Sequence, residues 1–266
     1  MVRILMLCCV VAGCGPNAGV AADAAGTGND ADPADARPPG FTGNIYAHSY
    51  QNLYKVDPDT LDVMLIGPFG WPNGEDMMTD IAVDKNGDIT GISFGAVYAV
   101  DHVTAACTYL APLAGDQFNG LSFLPVGAID QTDEEALVAT GLGGGVFRIN
   151  PMTGESTEIG DYGGIVESSG DIVSVSGFGT VATVKNGSTN DYLARVNLTT
   201  GEATMIGSTG YPDIWGVGFW KNKVYGFVAT NQFVLIDVDT GVATYVSTGP
   251  ENWTGAGVTT IAPIVP

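Results

Sequence analysis

The chain has 266 residues, 45% of them hydrophobic and only 14% charged, with 38 glycines and a formal charge of −20. That mixture suits many short strands joined by tight turns and excludes a mainly helical protein. Twenty-nine acidic residues against nine basic ones repel nucleic-acid phosphates and anionic headgroups, so nucleic acid is excluded as a partner and any membrane attachment must be non-electrostatic.

The N-terminus opens MVRILMLCCVVAGC, with Arg3 ahead of an apolar run from Ile4 to Val11. A run of that length is too short for the roughly 20 residues that cross a bilayer, and it fits the apolar region of a signal peptide. Val11-Ala12-Gly13-Cys14 resembles the bacterial lipobox, in which an apolar and two small residues precede a cysteine that becomes lipidated. The resemblance implies that residues 1–13 are a removable signal peptide, that Cys14 carries the lipid, and that the protein is anchored outside the cytoplasm. Gly15 stands where an Asp commonly marks inner-membrane retention, so the resemblance favours the outer membrane or cell surface. From Gly15 to Gly40 every residue except Val20, Thr27 and Arg37 is Ala, Gly, Asp, Asn or Pro. Such a stretch buries no core and reads, with Cys14, as a disordered tether over residues 14–40.

Past residue 40 one pattern recurs: Val56-Asp57-Pro58-Asp59-Thr60, Val100-Asp101-His102-Val103-Thr104, Ile149-Asn150-Pro151-Met152-Thr153, Val196-Asn197-Leu198-Thr199-Thr200 and Ile236-Asp237-Val238-Asp239-Thr240. An apolar residue ends a strand, and the Asp or Asn side chain bonds the backbone two residues on, which makes a hairpin turn. Gly154, Gly201 and Gly241 supply the left-handed position. The following strand often ends in Ile-Gly, at Ile66-Gly67, Ile159-Gly160 and Ile206-Gly207.

Two more strand-like runs precede each turn, giving four strands in a period of about 45 residues, the signature of a propeller blade. The sequence therefore predicts an all-β, five-bladed β-propeller over residues 41–266. The first copy has only three strands, Asn44–His48, Asn52–Val56 and Asp62–Ile66. Its missing innermost strand is supplied by Gly255–Ile261, so the two chain ends close one blade and leave no open edge. The repeats resemble the YVTN, NHL and quinoprotein-dehydrogenase-like propellers of bacteria. That resemblance lives in turn chemistry and implies the fold more than an activity.

Cys8, Cys9 and Cys14 crowd the N-terminus, which leaves Cys107 as the one thiol of the repeat region. One thiol makes neither a disulfide framework nor a thiolate zinc site, and Cys107 reads as a small buried hydrophobe. His48 and His102 fall at non-equivalent places, and no nucleophile motif accompanies them. Asp133-Glu134-Glu135 reads as a solvated loop.

Topology nominates the ligand face. Counting back four residues from Val83, Phe123, Val175, Phe219 and Val258 reaches Thr79, Asn119, Asp171, Trp215 and Thr254, a mainly polar set at the start of the inner strands. Asp80, Asp213 and Trp253 stand nearby. These eight residues are the expected ligand site, for a protein or glycan partner. The tryptophans could equally pack between blades. Carboxylates converging there must be protonated, bridged by water or paired with a cation, of which calcium is the candidate; no other cofactor is implied. The sequence favours a non-enzymatic binding module. The alternative is a hydrolase or lyase acting on carbohydrate or lactone through channel carboxylates.

Overall fold

The computed structural model describes residues 43–130 and 134–265. Cys14, the signal segment 1–13 and the tether 14–40 lie outside them.

Twenty strands form five antiparallel four-stranded sheets. In the first blade β1 (Ile45–His48), β2 (Asn52–Val56) and β3 (Val63–Pro68) run from inside to outside. The second holds β4 (Asp80–Val83), β5 (Ile89–Ile92), β6 (Ala96–Val100) and β7 (Cys107–Pro112). The third holds β8 (Phe118–Leu124), β9 (Ala136–Gly141), β10 (Gly145–Ile149) and β11 (Ser156–Asp161). The fourth comprises β12 (Glu167–Val175), β13 (Gly179–Lys185), β14 (Tyr192–Val196) and β15 (Ala203–Ser208). The fifth comprises β16 (Ile214–Trp220), β17 (Lys223–Val228), β18 (Gln232–Asp237) and β19 (Ala243–Thr248). Finally β20 (Gly255–Val258) returns to pair with β1, in the register Ile45↔Val258 to His48↔Gly255. The ring is thus closed by the two ends of the repeat region, as the sequence predicts.

The repeated turns work as their chemistry requires. The Oδ1 atoms of Asp57, Asp101, Asn150 and Asp237 each accept N–H bonds from the residues two and three further on, and Asn197 Oδ1 accepts that of Thr199. A left-handed residue closes each turn: Gly154, Gly201 and Gly241, and, in the copies lacking glycine, Leu61 (φ 65°) and Ala105 (φ 59°).

The Ile-Gly dipeptides prove to be β-bulges. Between the third and outer strands of every blade the register slips once, after Leu53, Val97, Val146, Leu193 and Phe233. The extra outer-strand residues are Ile66, Leu110, Ile159, Ile206 and Val246, and each turns half-buried against a core cluster. A bulge bends its strand and strengthens the twist, here at one level of all five blades. The next glycine then admits the neighbouring blade. A β-carbon on Gly160 would meet the Thr200 carbonyl, and one on Gly207 the Thr240 carbonyl.

Cys107 is a buried free thiol whose surroundings push its pKa up to about 12, chiefly through burial. The expectation of a solvated Asp133–Glu135 loop is corrected at Glu135. This carboxylate is half-buried, accepts the Lys85 N–H at 2.8 Å and takes the Thr260 hydroxyl. It ties the β4–β5 turn to the segment after β20.

Candidate functional site

The inner strands β4, β8, β12, β16 and β20 run side by side round the axis, and three of them are bulged where they begin. Asn119 is the unpaired residue between Phe118 and Gly120, and Trp215 the one between Ile214 and Gly216. In β12 three residues, Ser169 to Asp171, face the single Thr183 of β13. Thr183 stitches this wide bulge: its hydroxyl donates to the Ile214 carbonyl at 2.9 Å and accepts the Asp171 N–H at 3.3 Å. Bulges re-aim side chains. Here they turn Asn119, Ser169 and Trp215 into a cavity of about 350 Å³ at one channel mouth, joined by Thr79 and Thr254 from just before β4 and β20. Tyr50, Phe94 and Leu142, from the second-to-third-strand turns of three successive blades, raise an apolar rim; each is more than a third exposed. Lys185 and Glu167 complete the wall.

The hydroxyl groups of the floor spend their protons inward. Thr79 Oγ1 donates to the Ile92 carbonyl at 3.0 Å, Ser168 Oγ to the Gly170 carbonyl at 3.2 Å, and Ser169 Oγ to Asp191 Oδ2 at 2.6 Å. Asn119 Oδ1 is buried without a partner among the described residues. The three hydroxyls therefore keep only lone pairs for the cavity.

One layer deeper lies a polar group with no solvent exposure. Asp80 and Asp171 are fully buried and face each other across the channel. Backbone N–H groups surround them: Ile81 donates to Asp80 Oδ1 at 2.8 Å, Ile172 to Asp171 Oδ1 and Val217 to Asp171 Oδ2, both at 2.6 Å, while the Leu121 N–H serves both carboxyls. Asp80 Oδ2 has no hydrogen-bond partner among the described residues, whereas both Asp171 oxygens are taken by N–H donors, so Asp80 is the member of the pair with an oxygen free to carry a proton. Burial raises both acids, Asp171 to about 8 and Asp80 well above the usual carboxylate range. Burial lowers His48 to about 4. Its Nδ1–H donates to the Ser49 carbonyl at 2.9 Å, and the bare Nε2 faces Asp80 Oδ1 at 3.5 Å. Gly255 leaves room for that approach, since a β-carbon there would strike both groups. Thr254 Oγ1 lies 3.1 Å from His48 Nδ1 and so links the cavity floor to this layer.

Of the residues expected from sequence, Thr79, Asn119, Trp215 and Thr254 line the mouth cavity. Asp80 and Asp171 meet beneath it. Asp171 was expected level with Thr79, and the strand register corrects this. Ser174, not Val175, stands opposite Thr180 as Val83 stands opposite Ile89, which makes Gly170 the equivalent of Thr79 and Asp171 that of Asp80. Asp213 stays at the rim, its carboxylate 2.6 Å from Lys185 Nζ. Trp253 is no ligand group: it is fully buried, edge-on to Tyr54 at 5.1 Å and to Phe227 at 5.5 Å, and belongs to the packing between blades. Sequence reasoning missed His48, Ser169, Lys185 and the rim trio Tyr50, Phe94 and Leu142. Among the described residues no group of three or more His, Cys, Asp or Glu is arranged to hold a metal.

The cavity and the blades together define the class: a five-bladed β-propeller with a pocket of mixed polar and apolar lining at a channel mouth. No family model and no curated protein matches the sequence. Among solved structures, the propeller of a nidogen/laminin complex superposes with a TM-score of 0.55 at 9% identity, over 83% of this chain and 99% of that one. A protein of unknown function from Bacteroides caccae gives 0.44 at 12% identity, over 77% and 73% of the two chains. The computationally designed Ika8 protein gives 0.37 at 15%, over 81% and 62%. Likeness at the level of the nidogen/laminin chain carries the fold alone.

Proposed function

We propose that this chain is a lipid-anchored, extracytoplasmic binding module, kin to the YVTN, NHL and quinoprotein-dehydrogenase-like propellers, that holds a small ligand or partner group at the channel mouth. One observation carries the binding role: all five inner strands deliver residues to a single concave cavity with an apolar rim and a few convergent polar groups, the usual make-up of a ligand site. Anchorage rests on the lipobox resemblance at Cys14. Thermal melting of the full chain against a library of small polar ligands, glycans and peptides tests the binding role, with Trp215→Ala as the pocket control. Stabilisation of the native chain that is lost in Trp215→Ala supports it; a ligand that acts equally on both refutes it. For the anchor, Cys14→Ser should move the protein from the membrane to the soluble fraction.

A second reading, a hydrolase or lyase, draws on the acid pair at Asp80 and Asp171. Paired carboxyls with raised proton affinity are a common catalytic device. Here both are sealed beneath the floor, and both Asp171 oxygens are occupied by N–H donors, so neither reaches a group in the cavity. Turnover of a glycoside or lactone that is abolished by Asp80→Asn would favour this reading.

A further inference from the structure

We propose that the ligand of the mouth cavity carries a protonated primary amine on an apolar body, with the ammonium on the hydroxyl floor and the body against Trp215, Tyr50 and Phe94. The inference rests on the cavity's being the binding site and names the class of its ligand.

Hydrogen-bond polarity is the first argument. The hydroxyl protons of Thr79, Ser168 and Ser169 are committed to Ile92, Gly170 and Asp191. What these three hydroxyls keep for the cavity is lone pairs. An ammonium is three donors and no acceptor, which matches such a floor; a neutral hydroxyl brings an acceptor with every donor. A buried acceptor left unmatched is costly, so the site selects for a donor.

Charge is the second. The one cationic side chain on the wall, Lys185, is answered by Asp213 at 2.6 Å. Glu167 also lines the cavity. The whole chain stands at −20, so the field at the mouth draws cations and repels anions. The third argument is the wall. Trp215 and the exposed rings of Tyr50 and Phe94 offer π-faces, which attract a cation and pack an apolar body.

The test is isothermal calorimetry of the full chain with phenethylammonium chloride and with its neutral isostere 2-phenylethanol. Both are titrated at about 0.15 M salt, where exposed charges more than roughly 8 Å apart are screened. The amine is expected to bind at least ~10-fold tighter than the alcohol, the worth of one charge-assisted hydrogen bond. Thr79→Val, which keeps the shape of the side chain and removes its lone pairs from the floor, should erase much of that difference. Lys185→Gln removes the one cation of the wall, a half-buried side chain, and should tighten the amine several-fold more than it changes the alcohol. Equal affinity for amine and alcohol, or indifference of the amine to both variants, overturns the amine assignment. If the alcohol or a sugar binds and Trp215→Ala abolishes it, the cavity stands and the amine class falls. If Trp215→Ala leaves amine binding intact, the cavity reading falls as well.

Discussion

The Thr200 carbonyl occupies the space that a β-carbon on Gly160 would need, so the turn of the fourth blade sits on the outer strand of the third only because residue 160 is glycine. The same relation joins Thr240 to Gly207, whereas Thr104 leaves Gly67 a distance of 3.7 Å.

Alanine at these sites should separate the three. Gly160→Ala and Gly207→Ala force backbone against backbone and should each cost ~1–3 kcal/mol, the usual penalty of overpacking. Gly67→Ala meets ordinary van der Waals contact and should stay within about 0.5 kcal/mol. Urea denaturation of the three variants decides it; a uniform loss would show that the glycines serve something other than blade docking.

The buried acids give stability a defined pH profile. A carboxyl that holds its proton more tightly folded than unfolded stabilises in acid, and that contribution is lost as pH rises. For Asp171 the window runs from the ordinary carboxylate value near 4 to about 8, and the contribution of Asp80, raised well above that range, begins at the same point. His48, lowered to about 4, acts in the opposite sense: its contribution is present above the unfolded value near 6.5 and lost as pH falls through 4. Between these limits the two slopes, each ~1.4 kcal/mol per pH unit for one proton, oppose each other. From about pH 6.5 to 8 only the pair remains, and the midpoint of denaturation should fall.

Asp80→Asn reproduces the protonated acid, with an amide that donates to Asp171 and an oxygen that still accepts the Ile81 N–H. It should fold at least as stably as the native chain at pH 8 and lessen the decline above pH 6.5, leaving the part that burial of Asp171 contributes. Asp171→Asn sets an amide against one of two N–H donors, from Ile172 and Val217, and should be destabilising by ~1–3 kcal/mol. Equal tolerance of the two substitutions would show that the proton is not on Asp80.

Calcium and EDTA should both leave the melting temperature unchanged. A cation between Asp80 and Asp171 would compete with four backbone N–H groups for the same lone pairs, whereas a proton uses the one oxygen they leave free. A calcium-dependent rise that Asp80→Asn abolishes would overturn this.

Glu135→Ala removes a carboxylate that joins the β4–β5 turn to Thr260. It should cost ~1–3 kcal/mol by leaving the buried Thr260 hydroxyl without its acceptor. Exchange of the Lys85 and Ile261 amides should quicken locally if the link is the cause.

Blade number and ring closure were legible in sequence because the Asp/Asn turns are local chemistry, recurring every 40–49 residues. The Ile-Gly dipeptides were visible as well, yet a bulge is defined by the partner strand, so they read as strand ends. Register failed once, in β12, where a wide bulge makes counting back from Val175 misleading. A signal was present: Asp80-Ile81 and Asp171-Ile172 repeat the same dipeptide, and aligning them puts the two acids level. His48 carried no such mark. Its role depends on Gly255, more than two hundred residues away, leaving space for its ring. The floor's acceptor character was hidden for a similar reason, since only the strand register decides where each hydroxyl proton goes.

The closing blade also sets how the fold bears load. β1 is held by β2 on one side and β20 on the other, so tension arriving through the chain ahead of Gly43 must shear two ladders at once. Tension at the C-terminal end first meets the bonds of Val265 to Asn222, Pro263 to Lys221 and Thr260 to Ser176 and Glu135, and only then β20, which pairs within its sheet only with β1. Pulled from its N-terminal side the ring should resist like a doubly glued joint, and pulled from the other it should yield in steps, one tie after another, before β20 peels.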